Sequence, residues 1–175
     1  MSTRGNNDPR PGQAGGEPSH QEDVEKSVNN SFQLDSIKKP DRKPFHFLIA
    51  DDSAVNRKIL RVVLERLGDS VDEAENGLQV VEMALVQHYD ALFLDIHMPE
   101  MGGLEAMAII RAFGDDRAQT PIFAVTGDTR WEDRKKYLAL GADGYIGKPI
   151  HIADLELEMD RVLVQKPDSK AVKAG

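Results

Sequence analysis

Cysteine is absent from this chain of 175 residues. Its absence excludes a disulfide scaffold, a thiolate metal site and a cysteine nucleophile. Long apolar runs are absent too, since none approaches the roughly 20 residues that a membrane-spanning helix needs. The N-terminus also lacks the apolar stretch of a signal peptide. We therefore expect a cytoplasmic protein without membrane insertion.

Positive charge is scarce in the middle of the chain. Residues 45–164 carry twelve Lys and Arg side chains against 22 Asp and Glu side chains, whereas residues 1–44 carry seven of each kind. An acidic domain repels the phosphate backbone of nucleic acids and attracts cations. Direct binding of nucleic acid is therefore not expected.

Large apolar residues are scarce at both ends of the chain. Residues 1–44 and 165–175 consist mainly of small, polar and charged residues. Such segments bury too little apolar surface to offset the entropy that ordering costs. The sequence therefore predicts one domain over residues 45–164, between a disordered polar N-terminal tail and a short polar C-terminal tail. No output domain is expected after residue 164.

Short apolar runs alternate with helical patterns through residues 45–164. The runs that read as buried strands are 45–50, 70–74, 91–94, 121–125 and 143–147. The patterns with helical spacing begin near residues 53, 77, 103, 129 and 152. Such alternation predicts a parallel sheet with helices on both faces. The expected fold is α/β, a doubly wound five-stranded parallel sheet of order 2-1-3-4-5.

Polar side chains follow four of the predicted strands at their carboxyl ends. They are Asp51 and Asp52 after the first strand, Asp95 after the third, Thr126 after the fourth and Lys148 after the fifth. In this strand order the first and third strands are neighbours at the switch point of the topology, where a ligand crevice opens. We therefore expect these five side chains to meet in one site.

The chemistry of these five side chains favours phosphoryl transfer. Carboxylates this close raise one another's pKa unless a positive group lies among them, and Mg²⁺ takes carboxylate oxygens, waters and a phosphate. Lys148 supplies a positive charge for a phosphoryl oxygen, and the Thr126 hydroxyl can donate a hydrogen bond to another. Asp95 is then the carboxylate nucleophile.

Four segments resemble those of two-component response-regulator receiver domains. They are residues 48–52, 94–103, 124–127 and 141–149. The resemblance implies the CheY-like, flavodoxin-like (βα)5 fold, with Asp95 as the phosphoacceptor and Thr126 and Lys148 holding the phosphoryl group. It further implies that Asp51, Asp52, Asp95 and the backbone carbonyl of His97 bind Mg²⁺, and that the Lys148–Pro149 peptide bond is cis.

The resemblance also implies a switch and its partners. Thr126 and Tyr145 would form the switch pair. The surface made by the fourth helix, fifth strand and fifth helix would contact other proteins, and it would include Trp131 and Tyr145. The expected partners are a histidine kinase or histidine phosphotransfer protein and a downstream protein target, with phosphorylation-dependent dimerisation as a further expectation. Such a domain catalyses only its own phosphorylation and dephosphorylation, so we do not expect an enzyme acting on other substrates.

Two positions differ from the commonest pattern of the family. His97 lies two residues after Asp95, and Asp128 lies two residues after Thr126. Side chains at these positions flank the path of the water that attacks the phosphoryl group. We hypothesise that Asp128 repels or misorients this water and so tunes the lifetime of the phosphoryl group.

Two alternative functions remain open. The first is a Mg²⁺-dependent phosphohydrolase that works through an aspartyl-phosphate. Enzymes of the haloacid-dehalogenase type have a second acid where this chain has His97, and they need a cap for which the domain leaves no room. The second alternative is a pseudo-receiver that only binds partners, but the intact set of Asp95, Thr126 and Lys148 argues against it.

Overall fold

The computed structural model describes residues 41–128 and 131–164, without the side chains of residues 131–133. The predictions for residues 1–40 and 165–175 therefore lie outside the described residues. Just before the predicted start of the domain, Arg42 donates hydrogen bonds to Asp69 at 2.7 and 2.8 Å. Among the described residues, Arg42 therefore contacts the domain from a position before its predicted start.

Five parallel strands form the sheet in the described part of the chain. They are β1 (His46–Ala50), β2 (Ser70–Ala74), β3 (Ala91–Asp95), β4 (Ile122–Thr126) and β5 (Gly144–Gly147). The strand order is β2-β1-β3-β4-β5. The predicted doubly wound α/β sheet of order 2-1-3-4-5 is confirmed.

Helices follow each strand, as the sequence predicts. They are α1 (Ala54–Arg66), α2 (Gly77–Val86), α3 (Gly103–Arg111), α4 (Trp131–Ala139) and α5 (Ile152–Met159). A 3-10 helix spans Asp116–Gln119, and α5 continues as a π-helical stretch over Asp160–Val164. The predicted start of the fourth helix at Thr129 lies outside the described residues. None of the helices in the described ranges has the length and apolar character to span a membrane.

Short polar side chains start the helices immediately beyond the strand tips. The Ser53 hydroxyl accepts a hydrogen bond from the backbone N–H of Asn56 at 3.4 Å, and the Asn76 side chain accepts one from Gln79 at 2.9 Å. Each cap satisfies a backbone donor that the first turn of a helix leaves without a partner. The connections from β1 to α1 and from β2 to α2 are consequently short and fixed in direction.

Side chains alternate between the two faces of the sheet and make one core cluster on each. The first packs against α1 and α5 and contains Phe47, Phe93 and Phe123. The rings of Phe93 and Phe123 stack with centroids 4.6 Å apart and planes 8° apart. The second cluster packs against α2, α3 and α4. With both faces covered, the strands hold the loops at their carboxyl ends in fixed positions.

The aromatic stack at the centre of the sheet yields a stability prediction. Phe93 is fully buried, so Phe93→Ala removes its apolar burial and leaves a cavity between α1 and α5. We expect the free energy of unfolding to fall by about 4 kcal/mol. Urea denaturation followed by circular dichroism measures this change.

The matched control is Val86→Ala, because Val86 ends α2 and is 85% exposed. Its effect should stay within about 0.5 kcal/mol. A loss of equal size in the two variants would contradict the assignment of Phe93 to the core.

Candidate functional site

Three carboxylates meet where β1 and β3 end. Asp51 and Asp52 follow β1, and Asp95 is the last residue of β3. These two strands are immediate neighbours in the sheet. One oxygen from each of the three side chains lies within 4.8 Å of the other two. Asp51 and Asp95 are buried, whereas Asp52 is exposed. The structure therefore brings the three predicted carboxylate ligands together at the carboxyl ends of β1 and β3.

Lys148 reaches into this cluster from the loop after β5. Its Nζ lies 2.7 Å from Oδ2 of Asp51 and 2.7 Å from Oδ2 of Asp95. Burial acts to lower the pKa of the Lys148 amine, but the bonds to Asp51 and Asp95 together act more strongly, so the pKa lies above its ordinary value. One ammonium opposes three carboxylates, and the cluster keeps two negative charges that suit a divalent cation.

The carboxylate of Asp51 is fixed by donors from the start of α1. Its Oδ1 accepts the backbone N–H of Ser53 at 2.9 Å and the side-chain amide of Asn56 at 3.1 Å. The sequence predictions missed Asn56 as part of the site. The available signal was its spacing, because an amide five residues after Asp51 lies in the first turn of the helix that the strand feeds.

Asp95 is held by the loop that follows it. Its Oδ1 accepts the backbone N–H of His97 at 3.3 Å, and the side chain of His97 is 73% exposed. Gly103 closes the loop back onto the strand, and its N–H donates to the carbonyl of Ile96 at 3.2 Å. A Cβ at Gly103 would lie 2.2 Å from the carbonyl oxygen of Asp95, so only glycine permits this approach.

Thr126 lies at the end of β4, beside the base of the Lys148 loop. The residue is fully buried, and its Oγ1 accepts the backbone N–H of Asp128 at 3.2 Å. Its carbonyl accepts the N–H of Lys148 at 2.8 Å. The Lys148–Pro149 peptide bond is cis, which confirms that prediction.

Asp128 links the loop after Thr126 to two tyrosines. The hydroxyl of Tyr145 donates to the backbone carbonyl of Asp128, and the hydroxyl of Tyr137 donates to its carboxylate at 2.9 Å. The two rings are nearly parallel, with centroids 6.2 Å apart and planes 14° apart. Nε2 of His97 lies 3.5 Å from the same carboxylate. The sequence predictions missed Tyr137, because a tyrosine on a helix face gives no sign of which loop its hydroxyl will meet.

The predicted partner surface contains a groove between α4 and α5 over β5. It has a volume of about 330 Å³, and its lining residues include Arg134, Tyr145, Leu157 and Glu158. Leu157 is 70% exposed. Trp131 is the first residue of α4, but its side chain lies outside the described residues. Of the two predicted partner residues, the structure thus locates the side chain of Tyr145 on this surface.

Glu158 is a buried carboxylate in the wall of that groove. It accepts the backbone N–H of Tyr145 at 2.9 Å, Arg134 Nη2 at 3.1 Å and Arg161 Nη2 at 2.8 Å. Burial acts to raise the pKa of Glu158, but the bonds from Arg161 and from the Tyr145 N–H, with the positive charge of Arg134, lower it below its ordinary value. The ionised carboxylate therefore stabilises the folded state.

Comparison with known proteins identifies the class to which this fold and site belong. The family model for the response regulator receiver domain matches residues 47–160, and the chain belongs to that family. It is a receiver domain of a two-component or phosphorelay system.

Three similar proteins illustrate the match. Hybrid signal transduction histidine kinase G of Dictyostelium discoideum is 36% identical over 65% of this chain, a region that is only 3% of that kinase. The receiver domain of sensor histidine kinase PA1611 from Pseudomonas aeruginosa, solved with a magnesium ion in its active-site cleft, is 30% identical with a TM-score of 0.63, covering 70% of this chain and 99% of that one. Chemotaxis response regulator CheY4 of Vibrio cholerae is 29% identical with a TM-score of 0.63, covering 69% and 100%.

The lowered pKa of Glu158 predicts a pH dependence of stability. The pKa of Glu158 in the folded state lies below the ordinary value of 4.5. The stabilisation is therefore complete above about pH 4.5 and is lost as the pH falls through the folded-state pKa. We expect Glu158→Gln to lower the free energy of unfolding by about 2 kcal/mol at neutral pH. The difference from wild type should shrink in urea denaturation at acid pH.

Glu156→Gln is the control, since it makes the same exchange on the same helix at a half-buried position. Its effect should stay below about 0.5 kcal/mol. A difference between Glu158→Gln and wild type that does not change with pH would contradict the prediction.

Proposed function

We propose that this chain is a phosphorylation-dependent switch that accepts a phosphoryl group on Asp95 from a phosphohistidine. The donor would be a histidine kinase or a histidine phosphotransfer protein. The observation that carries the proposal is the ammonium of Lys148 held 2.7 Å from both Asp51 and Asp95, inside a cluster of three carboxylates. A nucleophilic carboxylate and a cation for the transferred group are thus in contact before the donor arrives.

The proposed transfer uses groups at the strand tips. A carboxylate oxygen of Asp95 forms the new bond to phosphorus while the bond from phosphorus to the imidazole nitrogen of the donor breaks, and that electron pair stays with the nitrogen. Lys148 then moves its contact from Asp95 to a phosphoryl oxygen. The Thr126 hydroxyl, which at present accepts from Asp128, can turn to donate to a second phosphoryl oxygen.

The acidic cluster fits a bound Mg²⁺, because it offers three carboxylates with oxygens within 4.8 Å of one another and an uncompensated negative charge. Asp51, Asp52 and Asp95 would hold the ion with the backbone carbonyl of His97. When bound, Mg²⁺ neutralises negative charge on the phosphoryl oxygens. In its absence the three carboxylates repel an incoming phosphoryl group.

The proposed output passes through the loop after β4. Movement of Thr126 towards the phosphoryl group pulls on Asp128, whose N–H is bonded to the Thr126 hydroxyl. Asp128 in turn holds the hydroxyl of Tyr145, which lies in the groove between α4 and α5. We propose that phosphorylation, in the cytoplasm, changes how this surface binds a downstream protein target or a second phosphorylated copy. We also propose that the domain of residues 45–164 carries the whole switch.

The two alternatives have less support. A phosphohydrolase of the haloacid-dehalogenase type needs an acid where this chain has His97, and residues 41–128 and 131–164 contain no cap domain. A pseudo-receiver has no need of a lysine in contact with two buried carboxylates. We therefore propose no second function.

Intact-protein mass spectrometry after incubation with acetyl phosphate tests the proposal. We expect wild type to gain the mass of one phosphoryl group when Mg²⁺ is present and to gain none when it is chelated. Asp95→Asn should gain nothing, because its amide is not a nucleophile. Asp116→Asn is the control, since Asp116 is an exposed acid on the 3-10 helix and should leave the gain unchanged.

The outcomes separate the candidate functions. Absence of any gain in wild type, together with absence of phosphate release, would leave only the pseudo-receiver. Sustained phosphate release from many phosphate esters would favour the phosphohydrolase. A gain that persists in Asp95→Asn would place the phosphoacceptor elsewhere.

The lifetime of the phosphoryl group gives a second prediction. Asn at position 128 can still accept from the hydroxyl of Tyr137, so Asp128→Asn removes the charge and keeps the shape. If the charge of Asp128 repels the attacking water, phosphorylated Asp128→Asn should lose its phosphoryl group several-fold faster than wild type. Phosphate release from the purified phosphoprotein measures the rate, and an unchanged rate would remove this role for Asp128.

A further inference from the structure

Arg57 is a buried residue on α1, and its guanidinium contacts the main chain of the acidic cluster. The residue is 8% exposed, and its Nη1 donates to the backbone carbonyl of Asp51 at 2.7 Å. Its other nitrogens bind two carboxylates near the end of β2, with Nε 3.2 Å from Glu73 and Nη2 2.7 Å from Glu75. Arg57 therefore joins the start of the acidic cluster to the neighbouring edge strand.

These contacts fix the main chain at Asp51. The planar guanidinium has rigid donor directions, so three acceptors on two sides hold it in one orientation. The N–H of Asp51 also donates to the carbonyl of Ala74 at 3.3 Å. The backbone of Asp51 is thus bonded on both its N–H and its carbonyl side, immediately before Asp52.

The charge of Arg57 is balanced locally. Glu73 and Glu75 each pair with it, so the cation is opposed by two carboxylates before any effect on the site is counted. Arg61, one helical turn later, pairs with Glu73 at 2.9 Å and with Glu65 at 2.8 Å. Arg57 and Arg61 share a helix and a carboxylate partner, and Arg57 is the one that binds the carbonyl of Asp51.

We propose that Arg57 is a positioning residue for the metal site. By holding the carbonyl of Asp51 it sets where the carboxylates of Asp51 and Asp52 lie, and so tunes the affinity for Mg²⁺ through geometry. This inference rests on the proposed function, because it requires that the acidic cluster binds Mg²⁺. Residues that support metal ligands in this way typically change metal affinity when they are replaced.

A purely electrostatic role for Arg57 predicts the opposite pattern. A cation behind the cluster would repel Mg²⁺, so Arg57→Gln would tighten binding and Arg57→Lys would leave it unchanged. A positioning role predicts that Arg57→Gln and Arg57→Lys both weaken binding, because lysine keeps the charge but lacks the rigid fork of donors. The two substitutions therefore distinguish geometry from charge.

Isothermal titration calorimetry of the full chain with Mg²⁺ tests the inference. For Arg57→Gln and Arg57→Lys we expect the dissociation constant for Mg²⁺ to rise about tenfold, the low end of the range for residues that support metal ligands. Arg61→Gln is the matched control, and its dissociation constant should stay within about twofold of wild type. Thermal unfolding of each variant shows whether it is folded at the temperature of the titration.

Each outcome has one meaning. Wild-type affinity in either folded Arg57 variant would overturn the inference and leave the proposed function intact, as would tighter binding in Arg57→Gln. Absence of Mg²⁺ binding by wild type would overturn the proposed function and the inference with it. If the Arg57 variants do not fold, Glu75→Ala decides, because it removes one hydrogen-bond acceptor of the guanidinium from an exposed position and should also weaken Mg²⁺ binding.

Discussion

The contact of one ammonium with two buried carboxylates is what allows the polar strand tips to meet. Lys148 follows β5, yet its Nζ touches Asp51 after β1 and Asp95 at the end of β3, so it reaches across β4. Without that cation the folded state would bring like charges together with nothing to offset their repulsion. The site therefore exists only when the complete strand order has formed.

The rigidity of the strand tips comes from the two faces of the sheet. Stacked Phe93 and Phe123 fill one face, and the loop after β3 presses onto the strand through Gly103, where a side chain has no room. Close packing lets small displacements at one tip pass to the next rather than being absorbed. Hydrogen bonds likewise join Thr126 to Asp128, and Asp128 to the two tyrosines.

Much of this arrangement could be predicted from the sequence, and the limits have a physical cause. Alternating apolar runs and helical patterns predicted the sheet, and the polar residues at strand ends predicted which side chains would meet. Hydrogen bonds made by long side chains were not predictable. Arg57 and Tyr137 lie on helix faces. Arg57 binds carboxylates 16 and 18 residues further along the chain, and Tyr137 binds a carboxylate nine residues before it. Packing brings these partners together, and no local pattern in the sequence encodes it.

The carboxylate of Glu158 has a consequence for how other chains can approach. Strand β5 lies at the edge of the sheet, and an edge strand offers free backbone groups as a template for a further strand. Here the outward N–H of Tyr145 is already taken by Glu158, which two arginines hold in place. A strand from another protein could add at this edge only by breaking that bond. This contact therefore disfavours extension of the sheet beyond β5 by main-chain pairing at Tyr145.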